Sequence, residues 1–253
     1  MNIGTLLKNL RKDRTHNMIY VMSDIHGNKK RFESVLSQIN LKSTDRLYIL
    51  GDVIDRFPDG IELLQRIRQM KNARLLLGNH EYMMLNAYAE QFGYRYPSFT
   101  PREAWGHWNN NHCSDTVRGF EQLSKAEQKD LYEYLLHRKR YLYVTVGGQK
   151  YLLVHGSSPR GYTGERRLTY ESLTEYVVWV RCPDSFTPDD GSIMIFGHTP
   201  TAYYQNKDPM TIWHGNNIVG IDCGAGFTSK NVGVGCRLAC LRLDDMKEFY
   251  SEE

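Results

Sequence analysis

The sequence predicts an α/β fold in which two mixed β-sheets pack face to face with helices outside. Three observations carry this reading. A β-loop-α pattern recurs three times in the first part of the chain, and the second half is dominated by strand signals. In addition, 253 residues with 41% hydrophobic and 24% charged content are enough to bury one core without disulfides. A single domain spanning 1–253 is expected.

The first β-loop-α unit runs from an apolar strand at 18–23, through a loop at 24–28, to a helix with Phe32, Val35, Leu36 and Ile39 on one face. The second has a strand at 46–50, a loop at 51–59 that ends on Asp59 as a plausible cap, and a helix marked by Ile61, Leu64 and Ile67. The third has a strand at 73–77 and a helix at 81–92. Such alternation places ligand-bearing loops at the carboxyl ends of the strands.

From 93 to 120 the pattern dissolves into an aromatic, Asn-rich insertion with Trp105, Trp108 and Asn109-Asn110-Asn111, which reads as a long loop covering the core or touching a substrate. Ser124-Lys125-Ala126-Glu127 is a capping box that starts a helix reaching about His137. Strands follow at 141–146, 151–154, 192–196, 218–221 and 234–243, the first two joined by a Gly147-Gly148 turn. Ile3, Leu6, Leu7 and Leu10 among Lys8, Arg11 and Lys12 predict an amphipathic helix over 1–17 rather than a signal peptide.

A formal charge of +3 with dispersed Lys and Arg argues against a nucleic-acid binder. The lack of a long apolar run argues against a membrane span. Five cysteines without a Cys-x-x-Cys pair suggest neither a disulfide framework nor a zinc knuckle, which fits a reducing, cytoplasmic setting.

Five short motifs begin where apolar strands end: Asp24-Ile25-His26-Gly27, Gly51-Asp52-Val53-Ile54-Asp55-Arg56, Gly78-Asn79-His80-Glu81, His155-Gly156 and Gly197-His198-Thr199-Pro200. Each alone could be a turn, a cap or a structural histidine. Together they occupy one structural position, so a single fold would gather carboxylates, imidazoles and a carboxamide. Mixed N and O ligands of this kind suit Mn²⁺, Fe or Zn²⁺ better than Ca²⁺ or Mg²⁺.

The order of these motifs resembles the phosphoprotein phosphatase branch of the calcineurin-like metallophosphoesterases. Their spacing is most similar to that of the phage lambda protein phosphatase and its bacterial relatives. The resemblance runs over about 18–227, with Trp179-Val180-Arg181 and Ile221-Asp222-Cys223-Gly224-Ala225 as further family-like segments. It implies two divalent metal ions, Mn²⁺ first. Asp24, His26 and Asp52 would hold one, while Asp52 bridges to a second held by Asn79, His155 and His198. It also implies His80 as general acid oriented by Asp55, with Arg56 and Arg181 on the phosphate oxygens. Two dications against two carboxylates would leave net positive charge to attract a phosphate and acidify a water.

The sequence departs from the family pattern at three places. Leu77 stands where an arginine commonly precedes Gly-Asn-His-Glu, Phe57 stands where glycine usually follows Asp-Arg, and Asn110-Asn111-His112 replaces a glycine-rich turn. The leading expectation is hydrolysis of phosphoserine, phosphothreonine or phosphotyrosine on a phosphorylated protein or peptide. The alternative, favoured by Leu77, is a bis(5'-nucleosyl)-tetraphosphatase. A phospho-recognition module without turnover is the remaining reading, opposed by the presence of His80 and both arginines. His16, His107, His112, His137 and His214 match no motif and are expected to have structural or surface roles.

Overall fold

The computed structural model describes residues 17–94 and 99–252. The helix expected over 1–17 falls almost wholly outside them, as does His16. Two five-stranded mixed sheets form the centre of the molecule. The first has the order β10-β9-β1-β2-β3, from β1 (Ile19–Met22), β2 (Arg46–Ile49), β3 (Ala73–Leu75), β9 (Ala239–Arg242) and β10 (Lys247–Tyr250). The second has the order β4-β5-β6-β8-β7, from β4 (Tyr141–Val146), β5 (Gln149–Val154), β6 (Ile193–Phe196), β7 (Trp213–His214) and β8 (Ile218–Gly220).

In the first sheet β1, β2 and β3 are parallel, with Tyr20 opposite Leu47 and Leu47 opposite Ala73, while β9 runs antiparallel to β1. In the second, β5, β6 and β8 are parallel and the hairpin strand β4 closes one edge. Side chains alternate between faces of a strand, and the alternation explains the layers. Val21, Leu241, Leu153, Ile195 and Val219 are buried in one cluster that joins the two sheets. Their neighbours Tyr20, Met22, Leu152, Val154 and Phe196 belong to the larger cluster that also takes in the helices.

Among the described residues the helices of seven or more residues are α1 (Lys29–Ile39), α2 (Gly60–Gln69), α3 (Asn79–Tyr88), α4 (Pro101–Asn109), α5 (Ser114–Glu121), α6 (Lys125–Leu136) and α7 (Leu173–Trp179). The α1 helix buries Phe32, Val35 and Ile39, as its periodicity requires. The Ser124 capping box is present, its hydroxyl accepting from the Glu127 N–H. Asp59 sits at the N-cap of α2 but makes no side-chain cap bond.

The insertion corrects the sequence reading. It contains two helices, α4 and α5, rather than a continuous loop. Thr100 caps α4 through a capping box with Glu103, and Pro101 occupies the first turn, where its missing N–H costs nothing. The aromatic residues of α4 turn inward, so Trp108 packs edge-on against Tyr88 and lies 5.6 Å from Trp105. Among the described residues no helix is long and apolar enough to cross a membrane. All five cysteines are buried.

Candidate metal centre

The loops that follow β1 and β2 are stitched together by main-chain hydrogen bonds. Asp24 N–H donates to Gly51 O, His26 N–H to Asp52 O and Gly27 N–H to Val53 O. This path takes Asp24, His26, Asp52, Asp55 and Arg56 into positive φ, between 50° and 71°, and His198, after β6, has a φ of 64°. Each such residue costs roughly 1–3 kcal/mol and persists only where its surroundings over-determine it. Glu81, fully buried, supplies part of that constraint: its carboxylate accepts from the N–H groups of Asp52, Val53 and Gly78 at 2.8, 2.7 and 3.1 Å. Gly78 makes room for the arrangement, since a Cβ there would lie 2.2 Å from Asp52 Oδ1.

Three histidines each commit one ring nitrogen to a main-chain carbonyl. His26 Nδ1 lies 3.0 Å from Ile54 O, His155 Nδ1 2.9 Å from Leu50 O, and His198 Nε2 3.0 Å from Trp179 O. A carbonyl only accepts, so these nitrogens carry a proton and the opposite nitrogens face inward, where each offers a lone pair to a cation once it is unprotonated. His26 Nε2 then lies 3.9 Å from Asp24 Oδ1 and 3.7 Å from Asp52 Oδ2. His155 Nε2 and His198 Nδ1 both meet Asn79 Oδ1 at 2.8 Å, and His155 Nε2 is 3.3 Å from Asp52 Oδ1.

Acceptors thus converge on two points that share Asp52. The groups His26, Asp52 and His80, and Asp52, His155 and His198, each bring their ligand atoms within 4.8 Å of one another. This donor set fits two divalent cations, because inward lone pairs and buried carboxylates need positive charge between them. Electrostatics agree. Burial, then the Asp222 charge, holds the Asp24 carboxyl well above its ordinary value. Burial also works to raise Asp52, but the charges of His155, His80 and His26 outweigh it and hold that carboxyl well below the usual range. Burial works to lower His155, yet Asp52 lifts it to about 9. Burial, followed by the charge of His155, drives His198 down to about 3. His26 is also lowered, by burial and then by Arg56 and His80.

Beside this cluster His80 Nδ1 lies 2.6 Å from Asp55 Oδ2, leaving Nε2 toward the cleft, 3.5 Å from Arg56 Nη2. The cleft, about 340 Å³, is lined by Asp52, Asn79, His80, His198 and both arginines. Arg56 stacks over Phe227 at 4.7 Å and Arg181 over Tyr203 at 4.9 Å. Of the ten residues singled out from the sequence, Asp52, Arg56, Asn79, His80, Arg181 and His198 line this cavity, while Asp24, His26, Asp55 and His155 lie behind it against that set. Leu77 is buried in the core and offers no donor to the cleft.

Sequence reasoning assigned no role to Asp222, Glu81 or Thr116, and placed Trp108 only in an insertion covering the core or touching a substrate. Asp222 is buried, lines the cleft and accepts from Gly224 N–H at 3.0 Å. It follows β8 as Asp24 follows β1, so the strand-end position was a usable signal. Gly226, beyond it, is equally constrained: a Cβ there would lie 2.4 Å from the His26 ring and 2.7 Å from Arg56 Nη1. Trp108 and Thr116 meet Asp55 only through the insertion helices, and no local motif announces that contact.

Comparison with known proteins agrees with this geometry. A symmetrical bis(5'-nucleosyl)-tetraphosphatase of Acidovorax sp. (strain JS42) is 32% identical over 165 residues, covering 64% of this chain and 52% of that protein. The same-named protein of Erwinia tasmaniensis is 40% identical over 72 residues, covering 28% of this chain and 26% of its own length. The chain thus spans about half the length of the first of these relatives, and less of the second. Among solved structures, one provisionally assigned as a diadenosine tetraphosphatase superposes with a TM-score of 0.58 at 15% identity, covering 94% of both chains. A protein serine/threonine phosphatase from Saccharomyces cerevisiae gives 0.57 at 13% identity, covering 95% of this chain and 82% of its own. At these identities both show a shared fold alone. The family model of calcineurin-like phosphoesterases matches residues 18–221, and the chain belongs to that family.

Proposed function

We propose that this chain is a two-metal hydrolase whose preferred substrates are dinucleoside polyphosphates. The observation that carries the reading is the cleft itself, where two guanidiniums suited to a polyphosphate are each backed by an aromatic ring and Trp179 completes the wall. Aromatic faces beside phosphate-binding arginines suit a nucleobase next to its phosphates. The names of the curated relatives and the apolar, buried Leu77 support the same choice.

Asp24, His26 and Asp52 would hold one cation, and Asp52, Asn79, His155 and His198 the other, with Mn²⁺ the first candidate and Fe or Zn²⁺ next. Bound there, the cations supply Lewis acidity toward a phosphoryl oxygen and toward water. Arg56 and Arg181 orient the phosphate and offset its charge. Water adds to phosphorus as the bridging P–O bond breaks. His80 Nε2 hands its proton to the leaving oxygen and regains one from solvent, while Asp55 holds the imidazole. Symmetric cleavage of diadenosine tetraphosphate consumes one water and yields two ADP.

A second reading, release of phosphate from phosphoserine, phosphothreonine or phosphotyrosine, is favoured by one observation. The His80–Asp55 pair is fully assembled, and a positioned acid matters most for a poor alkoxide leaving group. Mn²⁺-loaded protein offered diadenosine tetraphosphate and a phosphopeptide panel side by side decides between them. ADP formation with kcat/KM at least about tenfold above the best phosphopeptide is expected. Intact tetraphosphate alongside efficient phosphopeptide turnover would reverse the assignment.

A further inference from the structure

We propose that Trp108 is a positioning residue for the proton donor, acting through Asp55. Its indole is fully buried, and Nε1 donates to Asp55 Oδ2 at 2.8 Å, the same oxygen that meets His80 Nδ1 at 2.6 Å. The other oxygen, Oδ1, is buried with no hydrogen-bond partner. A carboxylate held by a single donor can turn about its terminal torsion and exchange oxygens, whereas two donors converging on one oxygen fix both its rotamer and its plane.

The rest of the insertion braces the same residue. Asp55 N–H donates to Thr116 Oγ1 on α5 at 2.9 Å, and Arg56 N–H donates to His112 O in the turn between α4 and α5. Asp55 and Arg56 both have φ near 70°, so their side chains are aimed from a backbone that would relax without this support. The aromatic insertion, which the metal centre leaves without a role, thereby becomes the scaffold of the dyad.

The inference rests on the reading of the cleft as a phosphoester hydrolase with His80 as acid. It is tested with Trp108→Phe in the Mn²⁺-loaded full chain, using p-nitrophenyl phosphate and phosphoserine as substrates. The expected kcat falls about tenfold to hundredfold on phosphoserine, the range for losing a hydrogen bond to a charged group. On p-nitrophenyl phosphate, whose leaving group needs little protonation, the fall stays within about threefold. KM and metal content are expected to be unchanged. In an Asp55→Asn background Trp108→Phe should add under about twofold, because the two residues act as one unit. Trp105→Phe, on the same helix, controls for loss of an indole. Should Trp108→Phe misfold, benzothienylalanine at 108 keeps the ring shape and lacks only the N–H. An equal loss on both substrates, or additivity with Asp55→Asn, overturns the positioning role alone. Absence of wild-type turnover on both substrates and on diadenosine tetraphosphate overturns the hydrolase reading and this inference with it.

Discussion

Asp52 faces three imidazoles, and its main-chain N–H is held by Glu81, so neither its side chain nor its backbone can shift without disturbing both halves of the cluster. His155 takes up part of that charge. Held up to about 9 by Asp52, it is protonated near pH 7, but a ligand nitrogen must be neutral. Cation binding must therefore expel that proton, and affinity should rise with pH up to about 9 and level off above it. Calorimetric titration of metal-free protein with Mn²⁺ near pH 7, in two buffers of different ionisation enthalpy, should show about one proton or more released per cluster filled. No release would remove His155 from the ligand set. At this scale the candidate ligands could be picked out because each sits in a short motif at a strand end. Trp108 and Thr116 were not, because they reach Asp55 across 53 and 61 residues of sequence and only the folded chain brings them there.

The short helix α7 converts the apolar run of Val177 and Val178 into a buried anchor, and its C-cap Val180 delivers Arg181 to the cleft beside Tyr203. Arg181→Ala should lower kcat/KM by about tenfold to hundredfold, the loss expected for a charge-assisted hydrogen bond. Lysine should restore only part of it, because a point charge lacks the guanidinium fork. Wild-type kinetics in the alanine variant, with metal content checked, would place Arg181 outside the phosphate clamp. The three β-loop-α units and the β4–β5 hairpin could be read from periodicity and turn chemistry. Helix α4 could have been read as well, since Thr100-Pro101-Arg102-Glu103 is a complete start signal, but Gly106 and the Asn109–Asn111 run masked its apolar face. Strands β7 and β10 left too little pattern: one has two residues and the other has no fully buried side chain.

At the scale of the molecule, Asp24, Asp52 and Asn79 follow strands of the first sheet, and His155 and His198 follow strands of the second. Cations held between them would tie the sheets together, so metal should stabilise the folded state itself. At 100-fold excess over Kd each site adds about 2.7 kcal/mol, which in a chain of this size raises Tm by roughly 5–10 °C. Thermal unfolding with Mn²⁺ and with a chelator measures the difference, and identical Tm values would mean that these donors hold no ion. The placement of β1 has a consequence for biogenesis. It lies between β2 and β9, and β9 begins at Ala239, so one edge of β1 has no partner until the chain has been made through β9. At 5–20 residues per second that wait is roughly 10–40 s. In a nascent chain of this design the strand edge beside the loop of Asp24 and His26 stays open over that interval, which is when it is most exposed to pairing with another chain.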